Sequence, residues 1–379
     1  MRVKLEEVCS RGSSNLMKKE VASMDGKYPI YGASGQIGTA NFYHQEKPYV
    51  AVVKDGAGIG RTMLLPAYSS VIGTLQYLIP KHNVLPDYLC YVVQYMNLAK
   101  YSSGATIPHI YFRDYKNEEF NLASVDRQQE IVTTLNKIQR IITRRRTQLS
   151  KLDELIKCRF VEMFGDPVDN PRGWETKGLL ELGKCKNGMN FSAGESGVNV
   201  HCLGVGDFKD YSEICNTSVL PKISLNKMPP EEVMLQDGDI VFVRSNGNKM
   251  LVGRCLVIFP GDIPTTYSGF CIRFRKEAEC VDTTYLVQLL KADSTRSKMA
   301  GRGANIQNLN QQILGALQIP IPPIELQQEF KDFIKQSDKF KFAYFLFTLI
   351  TVLQKNYYIL LEFFQSVFFV LDLIRFKLI

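Results

Sequence analysis

Apolar residues recur at alternating steps of four and three through residues 124–165, and the chain is organised around this pattern. The positions on the seam are Ile131, Leu135, Ile138, Ile142, Leu149, Leu152, Ile156 and Met163, with Arg145 and Arg159 on the same line. Such heptad spacing is typical of a long helix that packs against another helix. Residues 124–164 contain neither Pro nor Gly, so Gly165 and Pro167 mark the predicted end of the helix.

Short β-branched and aromatic segments alternate with glycine turns in residues 1–123. Tyr49–Val53 and Thr62–Leu65 flank a glycine loop at 54–61, and another Gly-rich segment lies at 31–38. This alternation indicates a mainly β core. Residues 86–100 have helical spacing instead, and their predicted core positions are Tyr88, Val92, Tyr95 and Met96.

Residues 166–323 repeat the organisation of residues 1–123 in the same order. Five short anchors correspond: Val53-Lys54 to Val243-Arg244, Gly60-Arg61 to Gly253-Arg254, Tyr88-Leu89 to Tyr285-Leu286, Gly104–Ile107 to Gly303–Ile306, and Gln128–Glu130 to Gln327–Glu329. Chance rarely matches five anchors in order, so a duplicated domain is predicted. A second helix is predicted from residue 324, because Pro322-Pro323 is a helix start signal and Leu326, Phe330 and Phe333 form an apolar stripe.

The apolar pattern changes after Lys339. The forty residues from Phe340 include 28 apolar ones spread over every helical face, so no stripe is defined. The longest uncharged run, 342–354, is shorter than the about 20 apolar residues that a membrane helix needs. We therefore expect 324–379 to be a second helix that runs into an atypical Phe-rich tail, which buries poorly or associates.

Composition adds a limited amount to this organisation. The net charge of +8 suggests a polyanionic partner, but only weakly, because many proteins without such a partner are equally basic. The nine cysteines are scattered without a C-x-x-C motif and the four histidines lie apart, so no metal site is expected. Reduced, mostly buried thiols and an N-terminus without a signal-peptide core favour a cytoplasmic protein.

Three features together resemble the specificity subunit of a type I restriction-modification system. They are the duplicated domain layout, the run Ile319–Gln328 that leads into the second helix, and the run Phe160–Pro167 with Asn170-Pro171 and Trp174 that closes the first helix. The resemblance covers residues 1 to about 340. It implies an α+β fold with two mainly β or mixed target-recognition domains, at 1–123 and 166–323, separated by long antiparallel coiled-coil helices.

The resemblance also implies a function. Such a subunit has no catalytic site of its own, reads a bipartite target in double-stranded DNA, and docks two methyltransferase subunits and restriction or translocase subunits. S-adenosylmethionine, ATP and Mg²⁺ are then expected on the partner subunits only, and no cofactor or membrane contact is expected for this chain. The departures are Leu122–Val125 in place of Pro-Pro before the first helix, a shorter first domain, and the Phe-rich tail.

These departures keep alternatives open. A frameshifted gene end would produce the tail, and the chain would then be an inactive or truncated specificity subunit. A coiled-coil or membrane-associated scaffold is suggested by the heptads and the apolar tail, although the duplicated domains argue against it. An enzyme acting alone is the remaining alternative, but the chain has no Asn-Pro-Pro-Tyr, Asp-Pro-Pro-Phe or H-E-x-x-H motif.

DNA recognition requires cations for phosphates and Asn, Gln or Arg for base edges. The candidate contacts are Lys54, Arg61, Thr106 and His109 in the first domain, and Arg244, Asn246, Asn248, Lys249, Arg254, Arg302, Asn305, Gln307 and Asn308 in the second. The alternative interpretation is that Gly-Asn clusters are simply turn formers and that His109 is an ordinary surface residue.

The basic run Arg144-Arg145-Arg146 lies in the middle of the first helix. It is either a solvated face, or a contact with DNA phosphates or an acidic partner, and Arg145 on the apolar seam would set the helix register. The glycine loop Gly56-x-Gly58-x-Gly60 ends in Arg61-Thr62 and not in Gly-Lys-Ser/Thr. It also lacks dinucleotide spacing, so nucleotide binding is not expected.

Overall fold

The structure, a computed structural model, describes residues 1–56, 58–104, 108–192, 194–209, 211, 213–300 and 308–341. These residues divide into a first unit, 1–145, and a second unit, 146–341, so the boundary lies inside the long helix. The Phe-rich tail from residue 342 lies outside the described residues. So does most of the anchor pair at 104–107 and 303–306.

The first unit consists of short strands with small helices between them. Its strands are β1 Arg2–Lys4, β2 Cys9–Ser13, β3 Tyr28–Gly32, β4 Gly35–Ala40, β5 Tyr49–Val53, β6 Thr62–Leu65, β7 Ser70–Val71, β8 Leu75–Pro80 and β9 Glu119–Asn121. Its helices are α1 Leu5–Val8, α2 Lys18–Val21, α3 Pro86–Tyr95 and α4 Phe112–Tyr115, with a 3-10 turn at Leu98–Tyr101.

Two sheets organise this unit. The larger has the strand order β2-β8-β5-β6 with antiparallel pairing, and the smaller has the order β4-β3-β7, in which β3 and β7 are parallel. All five residues of β5 are buried, which explains why Tyr49–Val53 is an uninterrupted apolar run. A separate antiparallel pair, β1 with β9, joins the two ends of the domain.

The long helix, α5, spans Val125–Phe164, in agreement with the heptad prediction. Gly165 follows it with φ +82°, and Nε1 of Trp174 donates to the carbonyl oxygen of Phe164 at 3.1 Å. The helix therefore ends where Gly165 and Pro167 predicted, because Gly takes the left-handed conformation without steric cost.

The second unit repeats the first strand by strand. Its strands are β10 Thr176–Gly178, β11 Gly183–Asn187, β12 Val198–Leu203, β13 Glu213–Ile214, β14 Lys222–Leu225, β15 Asp239–Val243, β16 Cys255–Ile258, β17 Thr265–Tyr267, β18 Cys271–Lys276 and β19 Gln318–Pro320. Its helices are α6 Thr283–Lys291, α7 Asp293–Ala300 and α8 Gln311–Gly315, with 3-10 turns at Leu179–Glu181, Val205–Lys209, Thr217–Val219, Glu231–Val233 and Lys249–Leu251.

The two units share the same sheet topology, apart from one edge strand that, among the described residues, only the second unit has. The larger sheet runs β11-β18-β15-β16 with β13 added at the edge, the smaller runs β14-β12-β17, and β10 pairs with β19. The parallel pair also recurs, as β12 with β17. The duplication read from the sequence is therefore structural, and the predicted α+β fold class with two mainly β units is confirmed.

A further helix, α9, begins at residue 324 and is described as far as residue 341. Arg159 pairs with Glu329 at 2.9 Å and Asp153 pairs with Lys341 at 2.8 Å, so α9 runs antiparallel to the second half of α5. Phe160 and Phe164 pack on Phe330 and Tyr285, with ring centroids 4.7–5.6 Å apart. The predicted antiparallel helix pair is thus present within the second unit.

The seam of α5 has two different surroundings. Ile131, Leu135, Ile138 and Ile142 are buried in the core of the first unit with residues of α3, whereas Ile156 is buried in the core of the second unit. Leu149 and Leu152, between these stretches, are half-buried. The heptad pattern therefore serves domain packing as well as helix pairing.

One prediction about residues 86–100 is wrong. The α-helix ends at Tyr95, and Asn97 has φ +48° before the 3-10 turn begins. Tyr88, Val92 and Met96 are buried, but Tyr95 is 38% exposed and is not a core residue. The spacing of apolar residues identified the helix but did not show that Tyr95, in its last turn, faces away from the core.

Candidate nucleic-acid interface

A tight glycine loop leaves the central strand at the same place in each unit. In the first unit the N–H of Gly60 donates to the carbonyl of Val53 at 2.9 Å, and in the second Gly253 donates to Val243 at 2.9 Å. Gly60 has φ +78° and Gly253 has φ +76°. A side chain is excluded at this turn, because a Cβ at Gly60 would lie 2.6 Å from the backbone N of Ala99.

A second segment crosses this loop in each unit. The N–H of Ile110 donates to the carbonyl of Lys54 at 2.9 Å, and that of Leu309 donates to the carbonyl of Arg244 at 2.7 Å. Isolated bridges pair Asp55 with His109 and Ser245 with Asn308. The fold therefore brings together candidates that are far apart in sequence: Lys54 with His109, and Arg244 with Asn308.

The cations at these loops differ in exposure. Arg61 and Arg254 are exposed, whereas Lys54 and Arg244 are half-buried. Nη1 of Arg61 donates to the carbonyl of Ala33 at 2.8 Å, and Nη1 of Arg244 donates to that of Gly269 at 3.3 Å. These bonds use part of each guanidinium fork and leave further N–H groups for a phosphate or a base.

Asn246 and Asn248 build the turn that follows Arg244. Oδ1 of Asn246 accepts from the N–H of Asn248 at 2.7 Å, and Oδ1 of Asn248 accepts from the N–H of Met250 at 3.0 Å. A two-point contact with adenine needs both the oxygen and the nitrogen of the amide. In this conformation both residues act as turn formers, so Asn308, which is exposed, is the described amide best placed to contact a base.

Several other candidates have no structural description. Thr106, Arg302, Asn305 and Gln307 lie outside the described residues, and the side chain of Lys249 is not described. On the basic run of α5, Arg144 and Arg146 are exposed and Arg145 is half-buried. Their roles in DNA contact stay predictions.

The structure adds three residues that pattern reasoning missed: Asp55, Tyr111 and Arg113. Nδ1 of His109 lies 2.7 Å from Oδ1 of Asp55, and its ring stacks on Tyr111 with centroids 6.4 Å apart and planes at 21°. The guanidinium of Arg113 lies 4.7 Å from the centroid of Tyr111. The alternation of His109 and Tyr111 was the sequence signal available, since alternate residues of an extended segment share one side, whereas Arg113 lies in the short helix α4 that follows.

Other site chemistries find little support among the described residues. Within these ranges, no three His, Cys, Asp or Glu side chains come together as a possible metal site. All nine cysteines are free, and burial raises the pKa of Cys9, Cys90, Cys185 and Cys202 to about 12. Such thiols are not nucleophiles at neutral pH. No helix in the described part of the chain is long and apolar enough to cross a membrane.

Comparison with known proteins gives a consistent result. The sequence model described as "Type I restriction modification DNA specificity domain" matches residues 1–152 and 171–344. The chain is similar to the type I restriction enzyme StySPI specificity subunit of Salmonella potsdam, with 23% identity over 274 residues. It is also similar to the MjaIX specificity subunit of Methanocaldococcus jannaschii, with 29% identity over 132 residues.

The matched segments make up 66% and 30% of this chain, and they span 58% and 31% of those two relatives. Among solved structures, the chain is similar to the type I restriction-modification S subunit of M. genitalium, with a TM-score of 0.52, 14% identity and coverage of 100% of this chain and 95% of that one. A structure reported for complex assembly and conformational transition of the type I R-M system gives a TM-score of 0.51 and 14% identity, and covers 96% and 97%. These two likenesses establish the fold.

Proposed function

The chain belongs to the type I restriction modification DNA specificity family, and we propose that it is the sequence-specific DNA-binding subunit of a type I restriction-modification complex. The observation that carries this proposal is the doubled scaffold. Each unit presents a cation and a polar side chain at the same crossing of a glycine loop, Lys54 with His109 and Arg244 with Asn308. Two similar but not identical reading surfaces suit a target made of two different half-sites.

Within this proposal the recognition domains are residues 1–123 and 166–323, the long spacer helix is 124–165, and 324–379 is a second helix that runs into the atypical Phe-rich tail. Methyltransferase subunits, two copies in the complete complex, and restriction or translocase subunits are the protein partners. One of the similar structures concerns complex assembly of the type I R-M system, which supports such partners. The chain has no catalytic site of its own, S-adenosylmethionine, ATP and Mg²⁺ bind the partners, and the complex is cytoplasmic.

A comparison of methylomes tests this function. Cells that carry the chain with its methyltransferase partner should show a split methylated motif, and cells that lack the chain should not. A third strain, in which the chain ends at Lys339, separates the alternatives about the tail. If only the shortened chain gives the motif, the tail inhibits the subunit, as expected for a frameshifted gene end.

The other results contradict the proposal in different ways. If neither the full-length nor the shortened chain gives a methylated motif, co-purification with the methyltransferase distinguishes a silent specificity subunit from a protein of another kind. Membrane flotation of the full-length chain would favour the scaffold alternative. DNA cleavage or methylation by the isolated chain would favour an enzyme that acts alone.

A further inference from the structure

An array of four side chains lies at the loop crossing of the first unit. It consists of Asp55, His109, Tyr111 and Arg113, and we refer to it as the His109 array. Asp55 contacts His109, His109 stacks on Tyr111, and Arg113 covers Tyr111. The array is accessible to solvent, because the side chains of His109, Asp55 and Arg113 are 37%, 31% and 77% exposed.

The backbone at this crossing does not depend on the array. It is held by the N–H of Ile110 on the carbonyl of Lys54 and by the N–H of Gly56 on the carbonyl of Pro108, at 2.9 and 3.0 Å. The second unit forms the same crossing with Ser245 and Asn308 in place of the Asp–His pair. The Asp55–His109 contact is also partly exposed to solvent, and an exposed polar pair of this kind contributes little to stability. The backbone crossing is therefore common to both units while the side chains on it differ, as the recognition of two different DNA half-sites requires.

The contacts define which atom of His109 is available to a ligand. Asp55 occupies Nδ1, so Nε2 is the ring nitrogen left for another partner. The hydrogen bond to Asp55 orients the ring, and a side chain held in this way loses less rotational freedom when it binds. The carboxylate of Asp55 is engaged by Nδ1 of His109 at 2.7 Å, and the guanidinium of Arg113, on the ring of Tyr111, adds a cation that attracts DNA phosphates. Nε of Arg113 also lies 3.4 Å from Oδ1 of Asp114, and the Arg113 side chain remains largely exposed.

We propose that His109 reads one base pair of the first half-site through Nε2, that Asp55 is the positioning residue that orients the imidazole, and that Arg113, supported by Tyr111, binds a neighbouring phosphate. This inference rests on the proposed function, because it concerns the same DNA-binding surface. Ser245 and Asn308 occupy the equivalent reading position in the second unit.

Selection from a random duplex library, with the full-length chain, tests the assignment. Wild type should discriminate at one position of the first half-site by about 5- to 150-fold, the range for a good base contact. His109→Asn keeps a group near the Nδ1 position and removes the one at Nε2, so this preference should fall to near onefold. Asp55→Ala should weaken the preference at the same position only in part. Arg113→Ala should lower affinity for all sequences alike, with a salt dependence reduced by about one phosphate contact.

Two internal controls accompany these variants. Preference at the second half-site, and at the other positions of the first half-site, should be unchanged in every variant, which also shows that both units are folded. His82→Asn replaces another exposed histidine of the first unit and should leave both half-sites unchanged.

The assignment is overturned if His109→Asn and Asp55→Ala retain the wild-type preference. It is also overturned if these variants weaken binding equally for every sequence, since His109 would then be a phosphate contact. If wild type prefers no split sequence over random duplex, the proposed function fails as well. Failure of the array alone is therefore distinguishable from failure of the function.

Discussion

At the scale of single residues, two buried glutamines hold equivalent junctions in the two units. Oε1 of Gln128 accepts from the N–H of Leu85 at 2.8 Å, while its Nε2 donates to the carbonyls of Asn83 and Ala123. Gln327 makes the same three bonds, from the N–H of Asp282 and to the carbonyls of Cys280 and Pro322. Both side chains are fully buried, so the amide satisfies backbone groups that water does not reach.

We expect Gln128→Ala and Gln327→Ala each to lower the free energy of unfolding by about 2–4 kcal/mol, because one donor and two acceptors would be left unpaired. Urea unfolding followed by circular dichroism measures this change. The exposed neighbours Gln129 and Gln328 provide matched controls, whose Ala variants should change stability by less than about 0.5 kcal/mol. Equal losses for buried and exposed glutamines would contradict the assigned role.

Asp282 joins α6 to α9. Its carboxylate caps α6 by accepting from the N–H of Thr284 at 2.7 Å and pairs with Lys331 at 2.8 Å. Burial acts to raise the pKa of this carboxyl, but Lys331 and the Thr284 N–H outweigh burial and hold the pKa below its usual 3.8. The charged form is thus favoured by folding, and its contribution is present above pH 3.8 and is lost as pH falls through the lowered value.

Asp282→Ala should therefore lower stability at pH 7 by about 1–2 kcal/mol, the usual effect of removing a helix cap. The difference between variant and wild type should shrink as the pH falls below 3.8, where Asp282 also loses its charge. Thermal unfolding at a series of pH values checks both parts. A difference that stays constant down to the lowest pH would show that the charge of Asp282 is not involved.

At the scale of elements, α5 shows how one helix serves two cores. Ile138 and Ile142 are buried in the first core, and Ile156, Phe160 and Phe164 are buried in the second. A single heptad pattern therefore covers the residues that pack in the first core and those that pack in the second. The pattern does not show whether a given part of α5 packs against a domain core or against a second helix, because both require apolar residues at this spacing.

Adjacent residues of α5 provide a sharp test of this packing. Ile156 is 5% exposed and Leu155 is 50% exposed. Ile156→Ala should lower the free energy of unfolding by about 2–5 kcal/mol because it leaves a cavity. Leu155→Ala should change it by less than about 0.5 kcal/mol. Chemical denaturation of the two variants side by side measures the difference. Similar losses of unfolding free energy for both variants would contradict the assignment of Ile156 to the buried face of α5.

At the scale of the whole molecule, the proposed function separates residues that position the DNA from residues that read it. Arg144 is exposed in the middle of α5, and Asn308 is exposed at the loop crossing of the second unit. Phosphate contacts affect every sequence, whereas base contacts affect one position. The two residues should therefore have different signatures in the same assay.

Arg144→Ala should weaken binding to all duplexes alike and reduce the slope of log affinity against log salt by about 0.9. Titrations at several salt concentrations measure the slope. Unchanged affinity and slope would identify the basic run as a solvated helix face.

Asn308→Ala should instead relax one position of the second half-site, with a loss of discrimination of about 1–3 kcal/mol. Selection from a random duplex library locates that position. A uniform loss over all sequences, or a change in the first half-site, would contradict the assignment of Asn308.

The sequence by itself determined the features that depend on local pattern. The heptads and Gly165 predicted α5 to within a residue at each end, and the order of short anchors predicted the duplicated topology. Val53 with Gly60, and Val243 with Gly253, were recognisable because a tight turn requires glycine at a positive φ. Such requirements act within a few residues, so a single chain displays them directly.

The tertiary structure alone decided which distant residues meet. Asp55 and His109 are 54 residues apart, and only the crossing of two loops makes them a pair. Packing between distant segments also leaves Tyr95 exposed, although its helical spacing favoured the core. The physical reason is that side-chain pairing and burial depend on long-range packing, which periodicity along the chain does not encode.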